Sequence, residues 1–205
     1  MSRRSDRIRG WLALAMAAFL LSSCRSADRS SDRPSDRSTR GQSAQSSAAE
    51  NSGSFVVSST DFPANGVIPK KFTCAGENVS PALQWSGEPG GTHSYALIVE
   101  DPDAPSGAWI HWVVFDIPHH VSSLPQAVPP EPQSTVGFVQ GDNDFHKLGY
   151  GGPCPPPGSP HHYVFRLYAL TQKLGLKPGA TKDELADAME DNILSQVTLT
   201  GTFGR

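Results

Sequence analysis

The sequence predicts a mainly β protein: an antiparallel β-sandwich with one main helix near the C-terminus. Three observations predict it. Residues 95–100, 109–117 and 163–170 are β-branched and aromatic runs of strand length, bounded by Pro and Gly. One segment alone carries a convincing helical pattern. The 18 Pro and 19 Gly residues punctuate the rest into short strands and long shaped loops.

The chain opens with Arg3, Arg4, Arg7 and Arg9, followed by an unbroken apolar run at 11–21. That run suits the core of a signal peptide and is short of the roughly 20 apolar residues of a membrane-spanning helix. It ends in Leu21-Ser22-Ser23-Cys24, which resembles the lipobox of bacterial lipoproteins. The resemblance implies acylation of Cys24 and removal of residues 1–23. Acyl chains suit stable anchoring, since each buried methylene contributes about 0.8 kcal/mol. The other reading is an ordinary secretory signal that leaves Cys24 a thiol, a liability in an oxidising compartment. Arg3-Arg4 hints weakly at twin-arginine export. Arg25 stands where an Asp would favour the inner membrane, so the expected location is the cell envelope, at the outer membrane facing the periplasm in a Gram-negative cell.

Residues 25–54 predict a disordered tether rich in Ser, Asp and Arg. A third of them are Ser, and Ala is the only aliphatic side chain. Asp-Arg recurs at 28–29, 32–33 and 36–37, a spacing that could pair charges on a helix, but Pro34 and the lack of an apolar face oppose one. Residues 1–54 hold 9 basic and 5 acidic side chains, which leaves 8 basic and 15 acidic in residues 55–205 and a charge of −7 there, against −3 overall. An acidic domain without a basic patch excludes nucleic acid as the expected partner.

Within the single domain at 55–205, a strand opens at 55–57, and Pro63, Asn65-Gly66 and Pro69 then break the chain. The three apolar runs have no polar face, which predicts central strands covered on both sides. Thr181 and Glu184 form a capping box, and Leu185, Ala188, Met189 and Ile193 recur at helical spacing. A final strand is expected at 196–203. The Pro-rich stretch 118–162 has little periodicity, and long irregular segments of that kind often belong to binding sites.

Three clusters could carry chemistry. Asp101-Pro102-Asp103-Ala104-Pro105 follows a strand that places Asp101 on the face of Tyr95, Leu97 and Val99. It reads either as a pair of site carboxylates or as a turn closed by Asp side chains. His111, placed by alternation with Trp109, Val113 and Phe115, is either a satisfied core histidine or a pocket wall. The Gly- and Pro-rich segment 149–158, followed by His161-His162-Tyr163, is either a rigid turn or a loop shaped around a ligand. Adjacent His161 and His162 point to opposite faces of a strand, and no carboxylate or Cys sits at zinc-like spacing, so no metal and no cofactor are expected.

Together these residues resemble the phosphatidylethanolamine-binding protein family, in its bacterial Raf-kinase-inhibitor-like branch. The resemblance runs in order through 72–85 (from Phe72-Thr73-Cys74 to Trp85), 101–105, His111-Trp112, Asn143-Asp144-Phe145, 149–158, 161–163 and Gly201-Thr202-Phe203-Gly204-Arg205. It implies a β-sandwich with a small anion-accepting pocket lined by Asp101, His111, Pro155, Pro156, His161 and Tyr163. Asp103 and Tyr150 are implied as support or rim. Tyr163 would donate its hydroxyl, and His111 and His161 their imidazole N–H groups, while Asp101 would fix a histidine tautomer. Many relatives have His-Arg-Tyr where this chain has His161-His162-Tyr163. That loss weakens anion binding if the Arg faces the ligand and is neutral if it faces outward.

With Cys24 acylated, Cys74 and Cys154 remain, both in motif loops of an exported domain, and a disulfide between them is expected. Two buried thiols, or one reactive thiol at the pocket, are the alternatives. The function expected is a membrane-anchored binding protein for a small anionic or phosphorylated ligand, with an inhibitory or regulatory role toward an unidentified envelope partner open. A hydrolase using His111 with Asp101 behind it is the enzymatic alternative, disfavoured because no nucleophile stands in a Gly-x-Ser-x-Gly pattern. A structural lipoprotein with a vestigial pocket is the third.

Overall fold

The computed structural model describes residues 53–205. The expectations for the signal peptide, for lipid on Cys24 and for nearly all of the tether fall outside them. Two antiparallel sheets carry the domain. The smaller has the order β1 (Val56–Ser58), β2 (Leu83–Ser86), β5 (Ser123–Leu124). The larger has the order β10 (Ile193–Phe203), β9 (His161–Leu170), β3 (Ser94–Asp101), β4 (Trp109–Pro118), β6 (Val139–Gln140). A separate hairpin joins β7 (Asp142–Asn143) to β8 (Lys147–Leu148).

The core explains why the central runs have no polar face. Val57, Leu83, Trp85 and Leu124 of the small sheet pack against Tyr95, Leu97, Val99, Trp112, Val114, Phe165 and Leu167 of the large one. Behind the large sheet, Ala96, Ile98, Val113 and Phe115 pack against Leu185 and Met189 of helix α1 (Lys182–Met189). Both faces of β3 and β4 are therefore withdrawn from water, at about 25 cal/mol per Å² of apolar surface. The capping box forms as expected, with Glu184 N–H donating to Thr181 Oγ1 (3.3 Å) and Thr181 N–H to Glu184 Oε2 (2.8 Å).

Two expectations are corrected. β9 is buried on one face only: Val164, Arg166 and Tyr168 are half-buried and His162 is exposed. The eight-residue helix is too short to cover that flank, where Arg166 pairs instead with Glu100 at 3.0 Å. Ile193 belongs to β10, not to the helix, and is 43% exposed. The helix stops at Met189 because Asn192 turns the chain, its carbonyl accepting from Thr171 N–H at 2.9 Å, and the β10–β9 ladder takes over with Ile193 opposite Leu170.

Asp116 sits inside β4 with a φ of 55°, a conformation uncommon for a non-glycine residue. Its buried carboxylate accepts from the main-chain N–H groups of Leu174 (2.7 Å) and Gly175 (3.0 Å), which ties the connection after β9 to the sheet. Cys74, in the loop before β2, and Cys154, in the Pro-rich loop after β8, are joined in a disulfide with a Cα–Cα distance of 5.4 Å, so the two-thiol alternatives do not hold. The same two loops are strapped by Cys74 N–H to Pro153 O (3.1 Å), Gly152 N–H to Asn78 Oδ1 (2.7 Å) and Tyr150 O–H to Phe72 O (2.9 Å).

The disulfide closes a separation of 80 residues. In the chain-entropy description such a loop contributes about 4–5 kcal/mol. Denaturant unfolding with and without reductant should show a loss of that order, and Cys74→Ser with Cys154→Ser should reproduce it without reductant. A midpoint unmoved by reduction would show that the straps alone hold the loops.

Candidate functional site

A cleft of about 340 Å³ opens where β3 ends and β4 and β9 begin, and Asp101, His111, Pro155, Pro156 and His161 all line it. Tyr163 lies wholly buried against it, its ring 5.2 Å from that of His111. Five of the six residues expected in the pocket thus converge on its wall, and the sixth packs behind one of them. Asp103, expected as support or rim, is not among the lining residues, and its carboxylate is engaged with His162. Tyr150 lines a neighbouring cavity, with its hydroxyl committed to Phe72 O.

The placement of His111 corrects the sequence-based alternation. Glu100 pairs with Ile110 and Val99 with Trp112, so His111 is an extra residue in β4, a β-bulge. Val113 and Phe115 consequently face the helix, while His111 turns with Trp109 toward the cleft and meets the rings of Tyr163 and Phe145. Its Nδ1–H donates to Gly151 O at 2.6 Å, and Gly151 N–H returns a bond to the His111 carbonyl at 2.8 Å. The neutral ring is thereby fixed with Nε2 as an acceptor. Burial pushes the His111 pKa down, against the opposing pull of the Gly151 carbonyl and of Asp101. Near neutral pH His111 therefore does not offer the N–H donor expected of it.

Asp101 engages the other histidine. Its Oδ2 accepts from His161 Nδ1 at 2.8 Å, and its Oδ1 accepts the main-chain N–H of Asp103 at 2.9 Å. Both initial readings of the motif hold at once: one carboxylate oxygen closes the turn and the other orients a cleft histidine. The hydrolytic arrangement with Asp101 behind His111 is not formed. Next along the strand, Asp103 Oδ2 accepts from His162 N–H (2.8 Å) and from His162 Nδ1 (2.7 Å). The main-chain bond, then the ring bond, holds the Asp103 pKa below its usual range. His162 points outward, as strand alternation predicts, so the missing Arg removes no charge from this cleft. The adjacent histidines serve different carboxylates, and no metal-holding cluster occurs among the described residues.

Two buried polar groups beside this cleft make no hydrogen bond of regular geometry, the Trp109 indole N–H and the Tyr163 hydroxyl, and the Tyr163 hydroxyl interacts with the Asp101 carboxylate. Burial, then the Asp101 charge and the hydrogen bond to its carboxylate, push the Tyr163 pKa up, so its proton stays on. Buried donors left unpaired are rare and costly, which makes them candidates for a ligand's acceptor atoms. Arg205 supplies the nearby permanent cation. Its Nε donates to Pro155 O at 2.6 Å, and its charge opposes the upward shift at Tyr163. Trp109, Phe145 and Arg205 all stand in the motifs quoted above or in the strand run beside them. Their role was hidden because each contributes through a wall contact or a long reach that spacing does not encode.

The depressed pKa of His111 makes a stability prediction. An unfolded chain takes up the proton near the ordinary value of 6.5 and the folded one only at lower pH. Stability from this residue is therefore full above 6.5 and falls as the pH drops through the interval below it. Denaturation midpoints of His111→Gln should lack that part of the pH slope, and NMR of the His111 ring should show one proton on Nδ1 at pH 7.

Comparison with known proteins agrees with this geometry. The phosphatidylethanolamine-binding protein family profile matches residues 58–204. A UPF0098 protein of Methanothermobacter thermautotrophicus is 50% identical over 144 residues, covering 70% of this chain and 95% of that relative. A UPF0098 protein of Aquifex aeolicus is 44% identical over 151 residues, covering 73% and 88%. Among solved structures, E. coli YbcL, described as a member of the mammalian phosphatidylethanolamine-binding protein family, has a TM-score of 0.69 at 35% identity, over 74% of this chain and 98% of its own. A homologue from Chlamydia trachomatis has a TM-score of 0.67 at 37% identity, over 74% and 97%. With the profile match over 58–204, these relatives and its mainly β fold, the chain belongs to the phosphatidylethanolamine-binding protein family.

Proposed function

We propose that the domain binds a small anion of phosphoryl type in the Asp101–His161 cleft, and that the chain is held at a membrane by lipid on Cys24. The observation that carries the first part is the buried, unpartnered Trp109 N–H in the cleft wall, with the Tyr163 hydroxyl next to Asp101 behind it. A phosphoryl oxygen is the kind of acceptor that both could share. Asp101 itself repels an anion, and its role is indirect: it takes the His161 Nδ1–H, so the ring offers an Nε2–H to the anion only in its imidazolium form, whose charge the carboxylate balances. Arg205 adds the charge that a neutral His111 does not. The C-terminal motif and the Pro155-Pro156 loop thus act as one wall. Binding, not turnover, is the reading this supports, since neither His111 nor His161 has a nucleophile for which a base role is evident.

Titration of the full chain with inorganic phosphate should show saturable, salt-sensitive binding. Arg205→Gln should weaken it about tenfold, the size of one charge-assisted contact. Asp101→Asn should alter both affinity and pH profile, and unchanged values there would remove the tautomer role. Wild-type protein that binds neither phosphate nor a phosphomonoester at millimolar concentration would overturn the anion reading. The membrane part is tested separately. In the native host, Cys24→Ser should move the protein from the membrane to the soluble fraction and abolish labelling by radioactive fatty acid, whereas equal membrane recovery of both forms would exclude a lipid anchor.

A further inference from the structure

We propose that the ligand is longer than its anionic head: it passes Phe145 into a second chamber and presents a second acidic group to Lys147. This rests on the anion reading of the first cleft and names the class more narrowly, as a phosphorylated compound with a carboxylate or second phosphate at its far end.

The second chamber holds about 370 Å³ and shares Phe145 and Cys154 with the first cleft. Each space alone is at the low end for a small-molecule site, roughly 300–1,000 Å³, and joined they fit one ligand of metabolite size. A phosphoryl group would occupy little of the first cleft, whose remaining wall is Trp109, Phe145, Pro155 and Pro156. That wall suits a chain leading away from the head.

The Asn143-Asp144-Phe145 motif builds the passage. Asn143 is buried, and its Oδ1 accepts from Phe145 N–H (3.0 Å) and Lys147 N–H (3.3 Å) while its Nδ2 donates to Gly149 O (2.8 Å). Asp144 bolts the hairpin to β4, its Oδ2 accepting from Ile110 N–H at 2.7 Å and its own N–H donating to Ile110 O at 3.0 Å. One rigid turn therefore sets Phe145 between the two spaces and Lys147 on the far one. Phe145 is 36% exposed and its ring meets Trp109 and His111 edge-on, so it stands between the two spaces. The floor beneath it must be glycine. A Cβ on Gly151 would stand 2.5 Å from the Phe145 ring, and one on Gly152 would stand 2.5 Å from Phe72 O.

The polarity of the chamber selects the group it takes. Tyr150 O–H is spent on Phe72 O, Gly151 N–H on His111 O and Gly152 N–H on Asn78 Oδ1. Among the described residues Lys147 and Asn78, both exposed, keep Nζ and Nδ2 outside the protein's own hydrogen bonds, and no Asp or Glu lines the chamber. Both uncommitted groups are donors and one is cationic, in a domain that is otherwise acidic. An acidic group on the ligand is what this combination recognises.

The test compares two probes on the full chain: inorganic phosphate, and 6-phosphogluconate, which carries phosphate and carboxylate at opposite ends of a six-carbon chain. The longer probe should bind about tenfold tighter, the increment of one charge-assisted contact. Lys147→Met should erase that advantage and leave phosphate affinity unchanged, and Lys147→Arg should retain it. Equal affinities in the wild type, or an advantage that survives Lys147→Met, overturns the second chamber while leaving the anion cleft intact. If neither probe binds, both readings fall together.

Discussion

The antiparallel pairing of β3 with β4 is the constraint on which the rest depends. Both strands are buried on both faces, so their register decides which side chains enter the sandwich, which meet the helix and which reach the cleft. The pairing takes two extra residues on the β4 side, one at His111 and one near Asp116. Without the first, alternation would send His111 toward the helix with Val113 and Phe115. With it, the imidazole turns to the sheet's open end and is clamped by Gly151 from the Pro-rich loop. The second bends β4 so that the Asp116 carboxylate can hold the segment that leads into α1. Both irregularities sit in the most buried part of the sheet, where the surrounding packing can hold a strained backbone in place.

The electrostatics of the cleft follow from which histidine each carboxylate reaches. Asp101 takes His161 and Asp103 takes His162, so two negative charges at a strand end are each answered by a ring N–H. The first pair is buried at the cleft wall and fixes geometry, whereas the second is exposed and contributes little to stability. His111 stays neutral because burial outweighs its partners. A ligand in this cleft would accordingly meet the uncharged N–H of Trp109 and the O–H of Tyr163 beside Asp101, with a guanidinium at the edge. Such a site relies on preplaced hydrogen bonds more than on net positive charge, which suits a domain whose charge is −7.

The disulfide, the Asn143 hairpin and the two adjacent glycines form a second unit beside this one. The disulfide ties the loop after Thr73 to the Pro-rich loop, and Gly152 lets Phe72 and Asn78 close on its backbone. Gly151 serves both sides, clamping His111 on one and leaving room for the Phe145 ring on the other. A disturbance at Gly151 should therefore reach both spaces through direct contact, with no change elsewhere in the sheet needed.

The sequence by itself determined the β class, the strand runs and the capped helix, because these rest on local rules: β-branched runs pair, and Thr181 and Glu184 cap. The cleft residues were implied only by the family resemblance, since each cluster read alone also fitted a turn or a core. It also determined the outward face of His162, since alternation holds along β9. Only the tertiary structure decided which partner each polar group met. The bulge at His111 is a property of two strands in register, and no reading of β4 alone contains it. Asp101 met His161 and not His111 because the His111 Nδ1–H is taken by Gly151 O, while β9 brings its first residue to the carboxylate. Arg205 joined the wall by reaching Pro155 across 50 residues of chain. Burial and pairing across distant segments set the chemistry of this cleft, and those are three-dimensional facts that spacing along a chain does not record.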